Sequence, residues 1–295
     1  VRRSNFDWTL NAQYARNRSC VKNLSGTETV FLAGFTGSTV SLVGPDVAGP
    51  GCQPFGVFYG DDFVRFGRAS SVGGQKIDAL FPDASAGAIY IGADGMPLFD
   101  TKERVIGDPN PDWTGSLRST FTLFNNLRVS GLIDVSRGGD IWNGTRGALV
   151  YFGTHESTLP FHGEGSNLVF GETLLGNEKV AGPGAGKATP LNWATWTIGG
   201  IGSGFTGPAS QFIEDASWVK LRDISASYTF EQPFVSRLGF SAIDVTVSGR
   251  NLRTWTDYTG IDPESNLTGQ SVGRGLDYFN NPQTRSFIFS VNLNR

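Results

Sequence analysis

The sequence predicts an all-β fold, namely an antiparallel portion of a transmembrane β-barrel with six or so strands and long extracellular loops. Three observations support this prediction. Six segments alternate apolar and polar residues with a period of two. Each segment is about nine to thirteen residues long, whereas strands of soluble proteins have about five or six residues. Short and long connections alternate between the segments, as in outer-membrane barrels.

Composition excludes several other classes of protein. Charged residues make up 17% of the 295 residues, below the roughly 25% usual for soluble domains. The net charge of −3 and the pI near 5.5 indicate no nucleic-acid partner. No apolar run approaches about 18 residues, so the sequence contains no candidate transmembrane helix.

The first predicted strand covers residues 5–16 and has apolar side chains at every second position. These positions are Phe6, Trp8, Leu10, Ala12 and Tyr14. Asp, Thr, Asn and Gln occupy the positions between them. Because alternate side chains of a strand point to opposite faces, we predict that Trp8 and Leu10 face lipid.

The second and third predicted strands, residues 112–124 and 127–137, form a hairpin around a tight turn at Phe124 to Leu127. Their apolar positions are Trp113, Leu117, Phe121, Leu123, Leu127, Val129, Ile133 and Val135. Ser, Thr, Arg and Asp dominate the opposite face. On this alternation we predict that Trp113 and Phe121 face lipid.

The last three predicted strands cover residues 222–230, 242–252 and 285–295. Their apolar positions are Ile224, Ala226, Tyr228, Phe230, Ile243, Val245, Val247, Phe287, Phe289, Val291 and Leu293. A modest turn at residues 231–241 joins the first two of these strands. We predict that Ile243, Val245, Phe287 and Phe289 face lipid.

Three long connections remain, which we call the first (17–110), second (141–217) and third (256–283) loop regions. They are rich in Gly, Pro and Ser, and the alternation of the strands places all three on one side. A soluble β-sandwich also alternates apolar and polar residues and stays open as an alternative. The polar faces favour the barrel, because they carry mainly Ser, Thr and Asn instead of the Lys and Glu of an open surface. Aromatic residues near strand ends also favour it.

Several motifs resemble one family of membrane proteins. The segment VIGDPNPDWTGSLRSTFTLFNNLRVSGLIDVSRGGDIWNGTR (105–146) resembles a strand pair of SusC/RagA-type TonB-dependent outer-membrane transporters. SGRNLRTWTDYTGIDPES (248–265) and NPQTRSFIFSVNLN (281–294) are similar to the late strands of the same family. The resemblance extends in order from about Asn5 to Asn294.

The resemblance implies a bacterial outer-membrane barrel of about 22 strands that surrounds an N-terminal plug, which contacts the TonB system. We therefore expect residues 1–295 to be the C-terminal segment of such a barrel domain, with the plug and the N-terminal strands absent. Six strands with open edges would leave backbone polar groups unsatisfied in lipid. The chain is then a fragment, a split chain or a partly represented protein; pooling of strands from several copies is a further alternative.

The function implied by the resemblance is import of a bulky nutrient such as an oligosaccharide or a peptide. The implied partners are the remainder of the barrel and plug, a SusD-like surface lipoprotein, the TonB system and membrane lipid. A non-transporting outer-membrane scaffold is the alternative. No nucleophile elbow, phosphate loop or zinc signature is present, so we predict no enzymatic activity and no cofactor.

Four loop residues are candidates for contact with a substrate or a partner. Trp193 and Trp196 in the second loop region have rings that stack on a sugar or a protein, or pack within the loop itself. Tyr258 and Asp262 lie in the stretch that resembles the transporter family, where they contact substrate or support the rim.

Cys20 and Cys52, the only cysteines, both lie in the first loop region. An even count in an oxidising compartment favours a disulfide, and two free thiols are the alternative. We predict no metal site. Asp94-Gly95 is typical of a turn, and the spacing of His155, Glu156, His162 and Glu164 matches no established metal site.

Overall fold

The computed structural model describes residues 2–3, 5–35, 38–45, 52–162, 167–170, 179–190, 192, 194–198, 202–231, 233–269 and 273–295. The first nine strands are β1 (Arg2–Arg3), β2 (Phe6–Ala15), β3 (Thr29–Phe35), β4 (Ser38–Val43), β5 (Val57–Phe63), β6 (Ser71–Val72), β7 (Gln75–Lys76), β8 (Ile89–Tyr90) and β9 (Phe99–Gly107). The remaining strands are β10 (Trp113–Leu123), β11 (Leu127–Arg137), β12 (Asp140–Asn143), β13 (Asn167–Leu168), β14 (Val180–Ala181), β15 (Thr189–Pro190), β16 (Ile213–Asp215), β17 (Trp218–Phe230), β18 (Ala242–Thr256), β19 (Leu276–Asp277) and β20 (Ser286–Asn294).

The helices are short. The α-helices are α1 (Ile77–Leu80), α2 (Gly144–Tyr151) and α3 (Pro233–Arg237). Single 3₁₀ segments cover Glu156–Phe161 and Ala209–Phe212, and a π-helical turn covers Ala194–Ile198. Within the described ranges, no helix has both the length and the apolar character needed to cross a membrane.

One large sheet contains all six strands predicted from the sequence. Its seven strands follow the spatial order β1, β2, β10, β11, β17, β18, β20, and each neighbouring pair is antiparallel. From β2 onwards the strands have 10, 11, 11, 13, 15 and 9 residues, close to the length of membrane-spanning strands. The predictions of a mostly β fold and an antiparallel sheet are confirmed.

The register of this sheet places apolar residues opposite apolar residues. Trp8 pairs with Phe121, which pairs on its other side with Val129. Val247 pairs with Phe289 at the far end of the sheet. Because directly paired residues lie on the same face, the apolar positions of all six long strands form one continuous face, and the polar positions form the other.

The tight turn between β10 and β11 has a defined geometry. Phe124 and Asn125 both have positive φ, 53° and 63°, and the amide of Asn126 donates to the carbonyl of Leu123 over 3.2 Å. Positive φ at both central residues is the type I′ hairpin turn, which matches the twist of antiparallel strands. α3 lies in the other short connection, between β17 and β18.

Two predicted strand boundaries are wrong by four residues. β17 begins at Trp218, not at residue 222, and β18 continues to Thr256, beyond residue 252. The cause is a pair of bulges: Arg222 is an extra residue in β17 against β11, and Asn251 and Leu252 of β18 together face Arg222. An extra residue interrupts the period-two pattern, so alternation alone places the boundary at the bulge.

The loop regions are more ordered than the sequence suggested. β3, β4, β5 and β9 form a four-stranded sheet within and around the first loop region. The largest fully buried side chains of the described residues include Phe58, Phe63, Phe66 and Ile89, which lie in that region. Among the described residues, none of the buried apolar side chains lies on the six long strands. Apart from Val235 in α3, the buried apolar side chains of the described residues therefore lie in the loop layer.

Candidate functional site

The apolar face of the large sheet is open to its surroundings. Of the residues predicted to face lipid, Leu10, Phe121, Phe287 and Phe289 are exposed, Phe287 by 75% and Phe289 by 68%. The other four, Trp8, Trp113, Ile243 and Val245, are half-buried among their neighbours on the same face. A continuous exposed apolar face of this size is unusual for a soluble monomer; that it contacts lipid stays a prediction.

The opposite, polar face carries a cluster of charged groups near the loop end of β17. Lys220 Nζ donates to Asp262 Oδ1 over 2.7 Å and to Glu264 Oε2 over 2.5 Å. Arg222 bonds to Glu264 Oε1 over 2.5 Å and to Asp134 Oδ2 over 2.7 Å. Only 2% of Lys220 is exposed. We call these five residues the ion cluster.

Strand alternation produces this arrangement. Trp218, Lys220 and Arg222 lie two positions apart and share the polar face, while Leu221 lies on the apolar face with its partner Ile133. The bulge follows directly, and from Asp223 onwards it is the odd-numbered positions that lie on the polar face. Trp218 lies on the same side, with Arg222 Cζ 5.0 Å and Lys220 Nζ 5.3 Å from its ring centroid, within the range of cation–π attraction.

The ion cluster determines the charge state of Asp262. Burial alone would raise the pKa of this carboxyl, but the hydrogen bond from Lys220 and the backbone amides of Glu264 and Gln283 lower it below its usual value. Asp262 therefore stays ionised at neutral pH. The cluster holds the third loop region, which contains Asp262 and Glu264, onto β17.

A chain of cavities follows the polar face beside the ion cluster. The first, about 420 Å³, is lined by groups that include Arg18, Asp108, Asp112 and Arg274. A second, about 160 Å³, shares Arg274 with the first and also reaches Trp218 and Glu264. A third, about 770 Å³, extends from Trp218 and Glu264 along β2, β10 and β11. The first and third cavities have the size of sites that accommodate small organic molecules.

The loop regions are bonded to one another. Tyr258 Oη donates to Asp277 Oδ2 over 2.5 Å, and Thr145 Oγ1 donates to Asp277 Oδ1 over 3.2 Å. Burial, with the nearby Asp277, raises the pKa of Tyr258, so the phenol keeps its proton and acts as a donor. Glu214 of the second loop region accepts from Thr259 of the third and pairs with Arg146.

Asp62 connects the first and second loop regions. Its buried carboxylate pairs with Arg65 and Arg68 and accepts a hydrogen bond of 2.6 Å from Ser210 Oγ. Burial alone would raise the pKa of Asp62, but the two arginines and Ser210 lower it below its usual value. The three loop regions therefore form one layer joined by buried polar contacts.

The structure places the four predicted contact residues as follows. Trp196 is 3% exposed and its ring centroid lies 4.8 Å from that of Phe170, so it packs inside the loop layer. Tyr258 and Asp262 are also buried, in the contacts described above. We assign these three side chains to the internal packing of the layer, and direct contact with a ligand stays a prediction. Trp193 lies outside the described residues.

Cys20 and Cys52 form a disulfide, with Cα atoms 5.3 Å apart. Next to the bond, Val21 and Gln53 form an isolated β-bridge, and Ser19 Oγ accepts from the amide of Phe55 over 2.8 Å. The disulfide thus anchors the segment that leaves β2, which also lines the first cavity.

The described residues contain no group of His, Cys, Asp and Glu arranged to hold a metal ion. His155 Nδ1 lies 2.8 Å from Ser157 Oγ, at the start of a 3₁₀ segment. Asp94 Oδ1 accepts from the amide of Met96 over 3.0 Å, next to Gly95 with φ of 87°. Both groups thus take part in local turns, and Glu164 lies outside the described residues.

Sequence reasoning missed the basic members of the ion cluster and the cavity arginines. Lys220 and Arg222 lie two positions apart, opposite Asp134 on the neighbouring strand, and this charge pattern was a usable signal. Arg18 and Arg274 lie in loop regions without periodicity, where the sequence alone carries no signal of proximity.

Comparison with known proteins gave relatives that match nearly the whole chain. The chain is 24% identical over 315 residues to TonB-dependent receptor P3 of Formosa agariphila. The aligned region covers 99% of this chain and 27% of the receptor. TonB-dependent receptor P26 of the same organism is 24% identical and is matched over 28% of its length. No protein-family profile matches the chain.

Solved structures with the same fold belong to a peptide transporter. The structure of the RagAB peptide transporter superposes with a TM-score of 0.55 at 16% identity, over 99% of this chain and 28% of the matched chain. The RagAB peptide importer in its open-open state gives a TM-score of 0.56 at 15% identity. The chain therefore spans little more than a quarter of the length of the proteins it matches.

Proposed function

We propose that this chain, a homologue of TonB-dependent receptors over nearly its whole length, forms the C-terminal part of the barrel wall and the extracellular loops of an outer-membrane nutrient importer. The observation that carries the proposal is the two-faced sheet. Its apolar face is exposed across six strands, and its polar face carries buried charges and a chain of cavities. This is the arrangement of lipid-facing and lumen-facing surfaces in a transmembrane barrel.

In this role the sheet and the loop layer have separate tasks. The long strands span the outer membrane and pair at their edges with the remaining strands of a barrel of about 22, which surrounds a plug coupled to TonB. The loop layer, joined by Asp62, Asp277 and Glu214, forms a rigid rim that admits the solute. A lipoprotein of the SusD type is the proposed partner at this rim, in line with the two-component RagAB importers. The chain supplies wall and rim, and no catalytic step.

Uptake by living cells tests the proposal. In a strain that lacks the gene, we expect loss of uptake of one class of bulky solute, measured with labelled oligosaccharides and peptides. Uptake should return with the gene and disappear again when TonB is inactivated. The scaffold alternative predicts another result. The protein would be present in the outer membrane, but uptake of every solute tested would be the same with and without the gene and with and without active TonB.

A further inference from the structure

The first cavity holds opposite charges that do not pair with each other. Two arginines, Arg18 and Arg274, and two aspartates, Asp108 and Asp112, line the same 420 Å³. Among the described residues, no ion pair within 4.0 Å joins any of them. The ion cluster behaves differently, because Lys220 and Arg222 are each bonded to two carboxylates. The cavity therefore presents both signs of charge to whatever enters it.

The walls of this cavity are held in place. The disulfide and the bond from the Phe55 amide to Ser19 anchor the segment next to Arg18. Asp108 Oδ1 accepts from the amide and the side chain of Asn110, over 2.9 and 2.7 Å. Next to Arg274 in the chain, the amide of Gly275 donates to Asn266 Oδ1 over 2.6 Å. Charged groups on fixed segments bind a ligand with less loss of entropy than mobile ones.

The two acidic residues belong to a wider acidic surface. Asp140 Oδ2 accepts from the amide of Asp108 over 2.7 Å. Burial raises the pKa of Asp140, the hydrogen bond from the Asp108 amide lowers it, and the charges of Asp108 and Asp215 raise it further, so that the pKa lies above its usual value. The carboxylates of Asp108 and Asp112 favour a positively charged ligand group. The guanidinium groups of Arg18 and Arg274 favour a carboxylate, to which they can donate two parallel hydrogen bonds.

We infer that this cavity is a binding site for a short zwitterionic ligand, an amino acid or a short peptide, with its carboxylate toward Arg18 and Arg274 and its ammonium group toward Asp108 and Asp112. The inference deepens the proposed function and rests on it. A ligand with a single charge would be attracted by one pair of groups and repelled by the other, since the four groups sum to zero. A neutral sugar would gain from neither pair of charges.

Calorimetric titration of the complete purified protein with trialanine tests this inference. The free peptide is compared with its C-terminal amide and its N-acetyl form. Each modification removes one charge, so we expect each to weaken binding about tenfold or more, the effect of one charge-assisted hydrogen bond. Equal binding of the three forms, or binding of none, would overturn the inference.

Substitutions then assign the two ends. For Arg274→Gln we expect the free and amidated peptides to bind with nearly equal affinity, while N-acetylation still weakens binding. For Asp112→Asn we expect the free and N-acetylated peptides to bind with nearly equal affinity, while C-terminal amidation still weakens binding. Arg118→Gln removes the same charge on the polar face outside the three cavities and should leave both end effects unchanged. If Arg274→Gln weakened binding of the free and the amidated peptide by the same factor, Arg274 would have only a structural role. This result would overturn its assignment to the peptide carboxylate.

The two proposals fail separately. Calorimetric titration needs no energised membrane, so the effect of the peptide end groups can be measured even in a protein that imports nothing. Binding with this end-group dependence, but no uptake, would overturn only the proposal of an importer. Uptake of neutral oligosaccharides, together with no binding of trialanine, would overturn only the zwitterion site. If Arg274→Gln does not fold, the comparison of the three peptides on the unsubstituted protein still decides the inference.

Discussion

At Lys220 a primary amine is buried between two carboxylates on the polar face of a long strand. Its distances to Asp262 and Glu264 are 2.7 and 2.5 Å. Burying a charge is costly, and removal of one partner from a buried pair costs about 3–5 kcal/mol because the other charge is left uncompensated. The attachment of the third loop region to the sheet therefore depends on the ionisation of a few groups.

The depressed pKa of Asp262 predicts a loss of stability in acid. The folded-state pKa lies below the unfolded value of about 3.9. The stabilisation is therefore complete above the unfolded pKa and is lost as the pH falls through the folded pKa. We expect the melting temperature of the protein to decrease below about pH 4.

Asp262→Asn is the matched variant for this measurement. The amide does not titrate, so the variant should be less stable than the unsubstituted protein at neutral pH, and the difference should shrink in acid. The same slope of melting temperature against pH in both proteins, between pH values of about 5 and 2, would show that Asp262 does not contribute.

At the scale of the element, the bulge in β17 matters most. Before it, Trp218, Lys220 and Arg222 lie at even positions on the polar face; after it, odd positions such as Ser225 lie on that face. Bulges of this kind re-aim side chains near functional sites. Without the bulge, a strand that kept Lys220 and Arg222 on the polar face would turn the apolar residues from Ile224 onwards to that face as well.

The two faces of β20 predict opposite tolerance to charge. Phe289, near the middle of β20, is 68% exposed on the apolar face, and Phe289→Arg should destabilise the inserted protein by about 2–4 kcal/mol if this face meets lipid. Ser290→Arg places the same charge on the polar face and should cost much less. Urea unfolding from liposomes, followed by tryptophan fluorescence, measures both. Similar losses for the two variants would argue against a lipid-facing surface.

At the scale of the whole molecule, the chain has two layers with opposite organisation. The large sheet exposes its apolar residues, whereas the loop layer buries its own around Phe58, Phe63 and Phe66. The loop layer is therefore a folded unit in its own right, attached to the sheet by the ion cluster and by continuous strands. A loop layer with its own buried core is in line with the rim that the proposed function assigns to it.

The disulfide predicts how the two layers respond to reduction. It closes a separation of 32 residues in the first loop region, which stabilises that region by about 3–4 kcal/mol in the chain-entropy model. After reduction we expect faster proteolysis between residues 20 and 52, with unchanged circular dichroism from the large sheet. The Cys20→Ser/Cys52→Ser variant should show fast proteolysis with or without reductant. Slow cleavage of the reduced protein would contradict the prediction.

The sequence alone predicted the large sheet well. All six strands, the tight turn at Asn125 and the similarity to TonB-dependent receptors are confirmed, because period-two alternation and turn residues act locally. The ends of β17 and β18 were wrong because a bulge breaks the alternation. Tyr258 and Asp262 were identified as residues of interest, but their burial could not be predicted from neighbours in sequence.

The sequence by itself determined the features that depend on neighbouring residues. These are the six long strands, their apolar and polar faces, and the short connections at one end. Only the tertiary structure decided which loop residues meet. Arg18, Asp108 and Arg274 are far apart in the chain and share one cavity, and Lys220 reaches Asp262 across 42 positions. The physical reason is that such contacts depend on how three long loops pack together, and no local periodicity records that packing.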